Sequence, residues 1–150
     1  MKIYEVSQRM ELIHDSIEYF WDKWGDSKNY NFYKDSIMNS LDPGVDLSKF
    51  YIALTEDTII GSYALLRNDL ISRQDLVPWF ACFYVDPNYR GKKVGAVLLD
   101  HAAEQAKLKE YNRIFLSTTL ENYYEKYGWE FVDYAYYING DRTKVYSRTL

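Results

Sequence analysis

Val85-Asp86-Pro87-Asn88-Tyr89-Arg90-Gly91-Lys92-Lys93-Val94-Gly95-Ala96 joins an apolar run to a helical pattern, and the reading of this junction decides the fold. Upstream, Trp79-Phe80-Ala81-Cys82-Phe83-Tyr84-Val85 is almost continuously apolar, which predicts a strand buried on both faces. Downstream, Val94, Leu98, Ala102 and Ala106 form one stripe of a helix running to about Lys109. The first turn of a helix leaves backbone N–H groups unpaired, and its dipole favours an anion there. Small residues let those amides approach a phosphate closely. Arg90, Lys92 and Lys93 add positive charge to the same loop. The junction therefore predicts a phosphate or pyrophosphate site, although an ordinary solvated, capped loop carries the same pattern.

Working outward, Ile3 to Val6 reads as a short strand, with Ser7 a plausible helix cap. Ile13, Ile17, Phe20 and Trp24 recur at helical spacing and Gly25 closes that helix. Tyr33, Ile37 and Leu41 share a face of a second helix, stopped by Asp42-Pro43-Gly44. Phe50 to Thr55 and Thr58 to Leu66 read as strands joined across Glu56-Asp57. Gly61 inside the second marks a bulge or a close backbone approach. After the junction, Ile114 to Thr118 is a buried strand and Glu121 to Tyr127 a short helix. Trp129 to Ile138 and Thr143 to Ser147 are strands joined at Asn139-Gly140. The order is β-α-α-β-β-β-α-β-α-β-β, an α/β (α+β) chain with a mixed sheet and helices on its faces.

The chain has 150 residues, a length that favours a single domain over residues 1–150. Hydrophobic residues at 47% and charged residues at 27% fit a globular protein rather than a disordered one. The net charge of −4 gives no electrostatic footprint for nucleic acid and is compatible with a cationic substrate. Cys82 is the only cysteine, which excludes an intramolecular disulfide and suits a cytoplasmic protein. Nothing resembles a signal peptide or a membrane span, and no Cys/His spacing suggests a metal site. Aromatic groups at Tyr19-Phe20-Trp21 and Tyr30-Asn31-Phe32-Tyr33 are split between core and a cleft suited to a cation. Exposed aromatics also permit a homodimer.

Two motifs on their expected elements resemble the GCN5-related N-acetyltransferase (GNAT) family. Arg90, Val94 and Gly95, continuing into Ala96-Val97-Leu98-Leu99, fit its coenzyme A loop, Arg/Gln-x-x-Gly-x-Gly/Ala. Lys93 departs from it, standing where the family usually has its first glycine. Tyr123-Tyr124-Glu125-Lys126-Tyr127-Gly128-Trp129 is similar to the family's Tyr-Glu-Lys-x-Gly-Phe/Trp segment. Ser117 and Leu120 occupy the places of its Asn-x-x-Ala stretch. Element order agrees from Ile3 through Ser147.

The resemblance implies a single-domain, mostly antiparallel sheet and the co-substrate acetyl-CoA, without a metal. Phe83, Tyr84 and Val85 would pair with the pantetheine arm, and a backbone amide there would polarise the thioester carbonyl. Arg90, Gly91, Lys92, Lys93, Val94, Gly95 and Ala96 would hold the pyrophosphate. Tyr124 matches the family position that protonates the departing thiolate, with Tyr123 its neighbouring rival. The family's β4 glutamate has no counterpart from Trp79 to Val85, so Asp75 is the candidate base, with Asp69 in the same loop. The expected activity is direct acetyl transfer to a primary amine of a small molecule: a polyamine, aminoglycoside or amino-acid-like compound. A protein or peptide N-acetyltransferase and a catalytically weak acyl-CoA-binding module are the alternatives.

Overall fold

The computed structural model describes residues Met1–Leu150. Its strands are β1 (Lys2–Glu5), β2 (Lys49–Thr55), β3 (Thr58–Leu66), β4 (Trp79–Val85), β5 (Arg113–Thr118), β6 (Glu130–Tyr136) and β7 (Arg142–Thr149). Its helices are α1 (Ile13–Trp24), α2 (Tyr30–Ser40) and α3 (Val94–Leu108). The strands form one sheet in the order β1-β2-β3-β4-β5-β7-β6. The chain groups into two compact units, one of Met1–Ala64 with Cys82–Leu98, the other of Leu65–Ala81 with Leu99–Leu150.

In the first unit β1 lies antiparallel to β2, from Lys2 opposite Leu54 to Glu5 opposite Tyr51. The apolar face of α1 buries Ile17 and Phe20, and Phe20 meets Phe50 of β2 edge-on at 5.2 Å. Gly25 ends α1 as expected, its N–H donating to Trp21 O at 2.7 Å. Ser7 is not the cap of α1. The chain first makes two 3-10 turns, Val6–Gln8 and Met10–Leu12, because Glu5 and Gln8 close a capping box over the first of them. The Ser7 hydroxyl donates instead to Glu5 Oε1 at 2.7 Å. Lys49 is buried on β2 and its ammonium donates to Ser40 O and Asp42 O at 2.7 and 3.1 Å. A cation thus satisfies carbonyls at the C-terminus of α2, where the helix dipole favours it.

In the second unit β5 and β6 both lie antiparallel to β7, which runs between them. Trp79, the first residue of β4, pairs in parallel with Phe115 of β5. Ile71, Trp79, Phe115, Ala135 and Val145 form the core beneath these strands. Ile71 comes from the β3–β4 connection, which it pins down by an antiparallel bridge to Tyr137. Ser72 adds two hydrogen bonds to Tyr136, each of 2.9 Å. The helix expected over Glu121 to Tyr127 is a single 3-10 turn, Tyr124–Tyr127. Asn122 has φ of 58°, a left-handed conformation that cannot continue an α-helix. Gly128, at φ 81°, supplies the left-handed cap that ends the turn.

Candidate active site

The junction folds as a strand, a 3-10 turn at Pro87–Tyr89, a basic loop and α3. Asp86 starts the turn by accepting the Asn88 N–H at 2.9 Å. The first bond of α3 runs from Val97 N–H to Lys93 O at 3.1 Å. The amides of Val94, Gly95 and Ala96 therefore lie ahead of it, in the helix's first turn, without an intrahelical acceptor. Gly91 is left-handed at φ 74°, with nothing within 4 Å of a built Cβ. Lys93 is left-handed as well, at φ 64°. The lysine thus takes a backbone shape that glycine adopts freely, at a steric cost that glycine would not carry. Arg90, Gly91, Lys92 and Lys93 are exposed. Open amides, a curved backbone and three cationic side chains fit a pyrophosphate.

β4 departs from the sequence reading. Trp79, Phe80 and Ala81 are buried, but Cys82 to Val85 are only partly so. Cys82 is left-handed in mid-strand at φ 52°, which interrupts the regular extended backbone of the strand. No feature of the sequence announces it, since glycine or asparagine would be the expected residue there. The Cys82 carbonyl accepts the Ser62 hydroxyl at 3.1 Å, and Asp86 N–H donates to Ile60 O at 2.8 Å. Asp86 is thereby held to β3, and by strand alternation Phe83 and Val85 direct their backbone groups the other way. Gly61 is the close approach expected of it: a Cβ there would lie 3.0 Å from Tyr84 O. Val85 O accepts Arg90 Nε at 2.9 Å, which ties the basic loop to the strand end. The Arg90 guanidinium lies 5.4 Å, and the Lys23 ammonium 5.1 Å, from the centroid of the Tyr84 ring.

The other candidates lie in the second unit. Tyr124 is buried in an aromatic nest, its ring centroid 4.9 Å from Tyr123, 6.2 Å from Trp129 and 6.4 Å from Tyr146. Burial pushes its phenol above the ordinary tyrosine range, so the proton is held throughout the working pH range. Asp75 does not suit the role of base. It is exposed, and Arg73 clamps it with bonds of 3.0 and 2.8 Å. The guanidinium holds its carboxyl below the usual range, which makes it a weaker proton acceptor. Asp69, six residues earlier, is the reverse case. It is partly buried, and desolvation pushes its carboxyl up to about 7 although Ser117 Oγ donates to it at 3.3 Å. Sequence alone does not separate these two aspartates, because the difference lies in the Ile71 anchor and in Arg73. No group of three His, Cys, Asp or Glu is placed to hold a metal ion.

Residues 46–131, more than half of the chain, match the acetyltransferase (GNAT) domain family. The chain belongs to the GNAT acetyltransferase family. Solved structures agree at the level of the fold. An aminoglycoside 6'-acetyltransferase type Ii superposes with a TM-score of 0.74 at 16% identity, over 99% of this chain and 97% of that one. An aminoglycoside 6'-N-acetyltransferase complexed with coenzyme A gives 0.70 at 14% identity, with the same coverage. A GNAT family acetyltransferase from Elizabethkingia anophelis with acetyl-CoA bound gives 0.68 at 17%, again over 99% and 97%. Against curated proteins the sequence finds no match. The mixed sheet and flanking helices are thus those of a GNAT acetyl-CoA-dependent N-acetyltransferase, as the coenzyme A loop implied.

Proposed function

We propose that this GNAT protein moves the acetyl group of acetyl-CoA directly to a primary amine of a small molecule. The observation that carries the reading is the loop Arg90 to Ala96, with its open helix N-terminus and its glycine-like backbone at Lys93. Acetyl-CoA supplies an activated thioester. Arg90, Lys92, Lys93 and the first amides of α3 bind its pyrophosphate, while Gly91 and Gly95 leave room for it. Phe83 and Val85 offer backbone groups to the pantetheine arm, and an N–H of one of these two residues faces the thioester carbonyl, whereas the Tyr84 backbone is turned to β3. Tyr124 keeps its proton for the leaving thiolate. A phenol raised by burial is a weaker acid than free tyrosine, so donation depends on placement at the sulfur rather than on acidity.

Aminoglycosides are the favoured acceptors among the three amine classes. Two structural relatives with aminoglycoside in their names support this, as does the acidic balance of the chain. The whole-length likeness supports one catalytic domain over residues 1–150, the single Cys82 suits the cytoplasm, and no helix is long and apolar enough to cross a membrane. The test is release of free thiol from acetyl-CoA with kanamycin, spermidine, lysine and a lysine-containing peptide, with mass spectrometry of the products. Mono-acetylated amine formed in step with thiol is the expected result. Acetyl-CoA binding with no thiol release would instead make the chain an acyl-CoA-binding module.

A further inference from the structure

Building on the coenzyme reading of the basic loop, we propose that the Tyr84 side chain is a positioning residue for that site: its ring presets the Arg90 guanidinium for the pyrophosphate before the coenzyme arrives. The two residues are rooted differently. Tyr84 is partly buried near the end of β4, whereas Arg90 is exposed on the loop that follows. An arginine on an exposed loop samples many rotamers, and ordering it on binding costs affinity. Here the order is already present. The guanidinium carbon lies 5.4 Å from the centroid of the Tyr84 ring, within the range of a cation–aromatic contact. Arg90 Nε donates to Val85 O at 2.9 Å. The two contacts together fix the planar fork against the end of β4 and leave its terminal nitrogens for a ligand.

The ring is itself held from α1. Tyr19 meets it edge-on with the centroids 6.2 Å apart, and the Lys23 ammonium lies 5.1 Å from the centroids of both rings. Lys23 is no duplicate of Arg90, because Asp22 Oδ2 accepts from its ammonium at 2.8 Å and offsets its charge. The other cations of the loop differ too. The Lys92 ammonium lies 5.4 Å from the ring centroid of Tyr89, which belongs to the same connection, so this contact does not tie it to the sheet. A lysine ammonium is also a point charge with no plane to orient. Arg90 is thus the loop cation fixed on a strand and, through Tyr84, on a helix. Such preorganisation raises affinity by lowering the ordering cost rather than by adding a ligand contact. The contact uses the ring face and not the phenol, so phenylalanine is expected to replace the tyrosine.

The experiment is a double-variant cycle read by calorimetric titration of acetyl-CoA into the parent protein, Tyr84→Leu, Tyr84→Phe, Arg90→Gln and the combined Tyr84→Leu/Arg90→Gln. Tyr84→Leu is expected to weaken binding roughly 2- to 12-fold, the range for one long side chain that must be ordered on binding. Tyr84→Phe is expected to restore the parental affinity. In the Arg90→Gln background the loss from Tyr84→Leu is expected to vanish, because no guanidinium is left to position. A tyrosine that only supports the fold gives the other pattern, with its loss carried undiminished into the combined variant. That pattern, parental affinity in Tyr84→Leu, or an equal loss in Tyr84→Phe overturns the proposal while the coenzyme reading of the loop stands. Should Tyr84→Leu not fold, Tyr84→Met takes its place in the cycle with the same expectations. Absence of acetyl-CoA binding by the parent protein, or parental affinity in Arg90→Gln, overturns both.

Discussion

Gly61 of β3 lies directly against the Tyr84 carbonyl of β4. A Cβ at position 61 would sit 3.0 Å from that oxygen and 3.1 Å from Leu98 Cδ1 of α3. Both distances are shorter than comfortable contact, and one of the two partners is backbone. Gly61→Ala is therefore expected to push β4 outward beyond Cys82 and to destabilise the fold by about 1–3 kcal/mol, the usual range for overpacking. Because the displaced residues are Phe83 to Val85, acetyl-CoA affinity should fall along with the melting temperature. A variant with unchanged melting and unchanged affinity would mean that this contact positions nothing.

Lys93 makes the opposite prediction. Its left-handed backbone costs about 1–2 kcal/mol for a side chain bearing Cβ, and glycine recovers part of this against its larger unfolded-state entropy. Lys93→Gly should raise the urea midpoint and weaken acetyl-CoA binding only slightly. Arg90→Glu, which reverses charge beside the phosphates, should weaken it far more. A Lys93→Gly variant that loses more affinity than Arg90→Glu would make the lysine the principal phosphate ligand.

These two positions show what could be read before the fold was known. Gly61 was legible because a glycine inside an apolar strand has few explanations other than a bulge or a close approach. The coenzyme A loop was legible because its chemistry is local, carried by a basic stretch that opens a helix. The left-handed backbone at Cys82 was not, since nothing about a cysteine between two aromatic-rich runs requests a positive φ. The choice between Asp69 and Asp75 was also out of reach. It depends on Arg73 folding back on Asp75 and on Ile71 bridging to Tyr137, which lies 66 positions later in the numbering. The turn at Tyr124 was overextended for a similar reason, because Asn122 adopts a conformation that its periodicity does not reveal.

Tyr124→Phe keeps the ring contacts with Tyr123, Trp129 and Tyr146 and removes the hydroxyl with its proton. As a general acid Tyr124 predicts a fall in kcat of roughly 10²–10⁴-fold, with acetyl-CoA affinity nearly constant. Tyr123→Phe should be much milder. Near-parental kcat in Tyr124→Phe, with chemistry shown to limit the rate, would remove Tyr124 from the mechanism.

Asp69 also leaves a mark on stability. Its carboxyl titrates near the ordinary value of about 3.9 in the unfolded chain but at about 7 in the folded one. Between those values the folded state binds more protons, so this group's contribution to stability falls as pH rises from about 4 to about 7 and is level above that. Asp69→Asn should abolish this descent, so urea midpoints of parent and variant should diverge with a pH-dependent difference confined to that window. A constant difference across it would place the Asp69 carboxyl at an ordinary value.

Calorimetric titration of acetyl-CoA into the parent protein and into Gly95→Glu tests the loop itself. Gly95 stands in the first turn of α3, where a glutamate would put both a side chain and a negative charge in the place assigned to the pyrophosphate. The account predicts one-to-one binding by the parent and a loss of affinity of at least about tenfold in a variant whose melting shows it folded, since an added negative charge beside bound phosphate costs over about 1.4 kcal/mol. Equal affinity in the two proteins would contradict it and move the cofactor to another part of the chain.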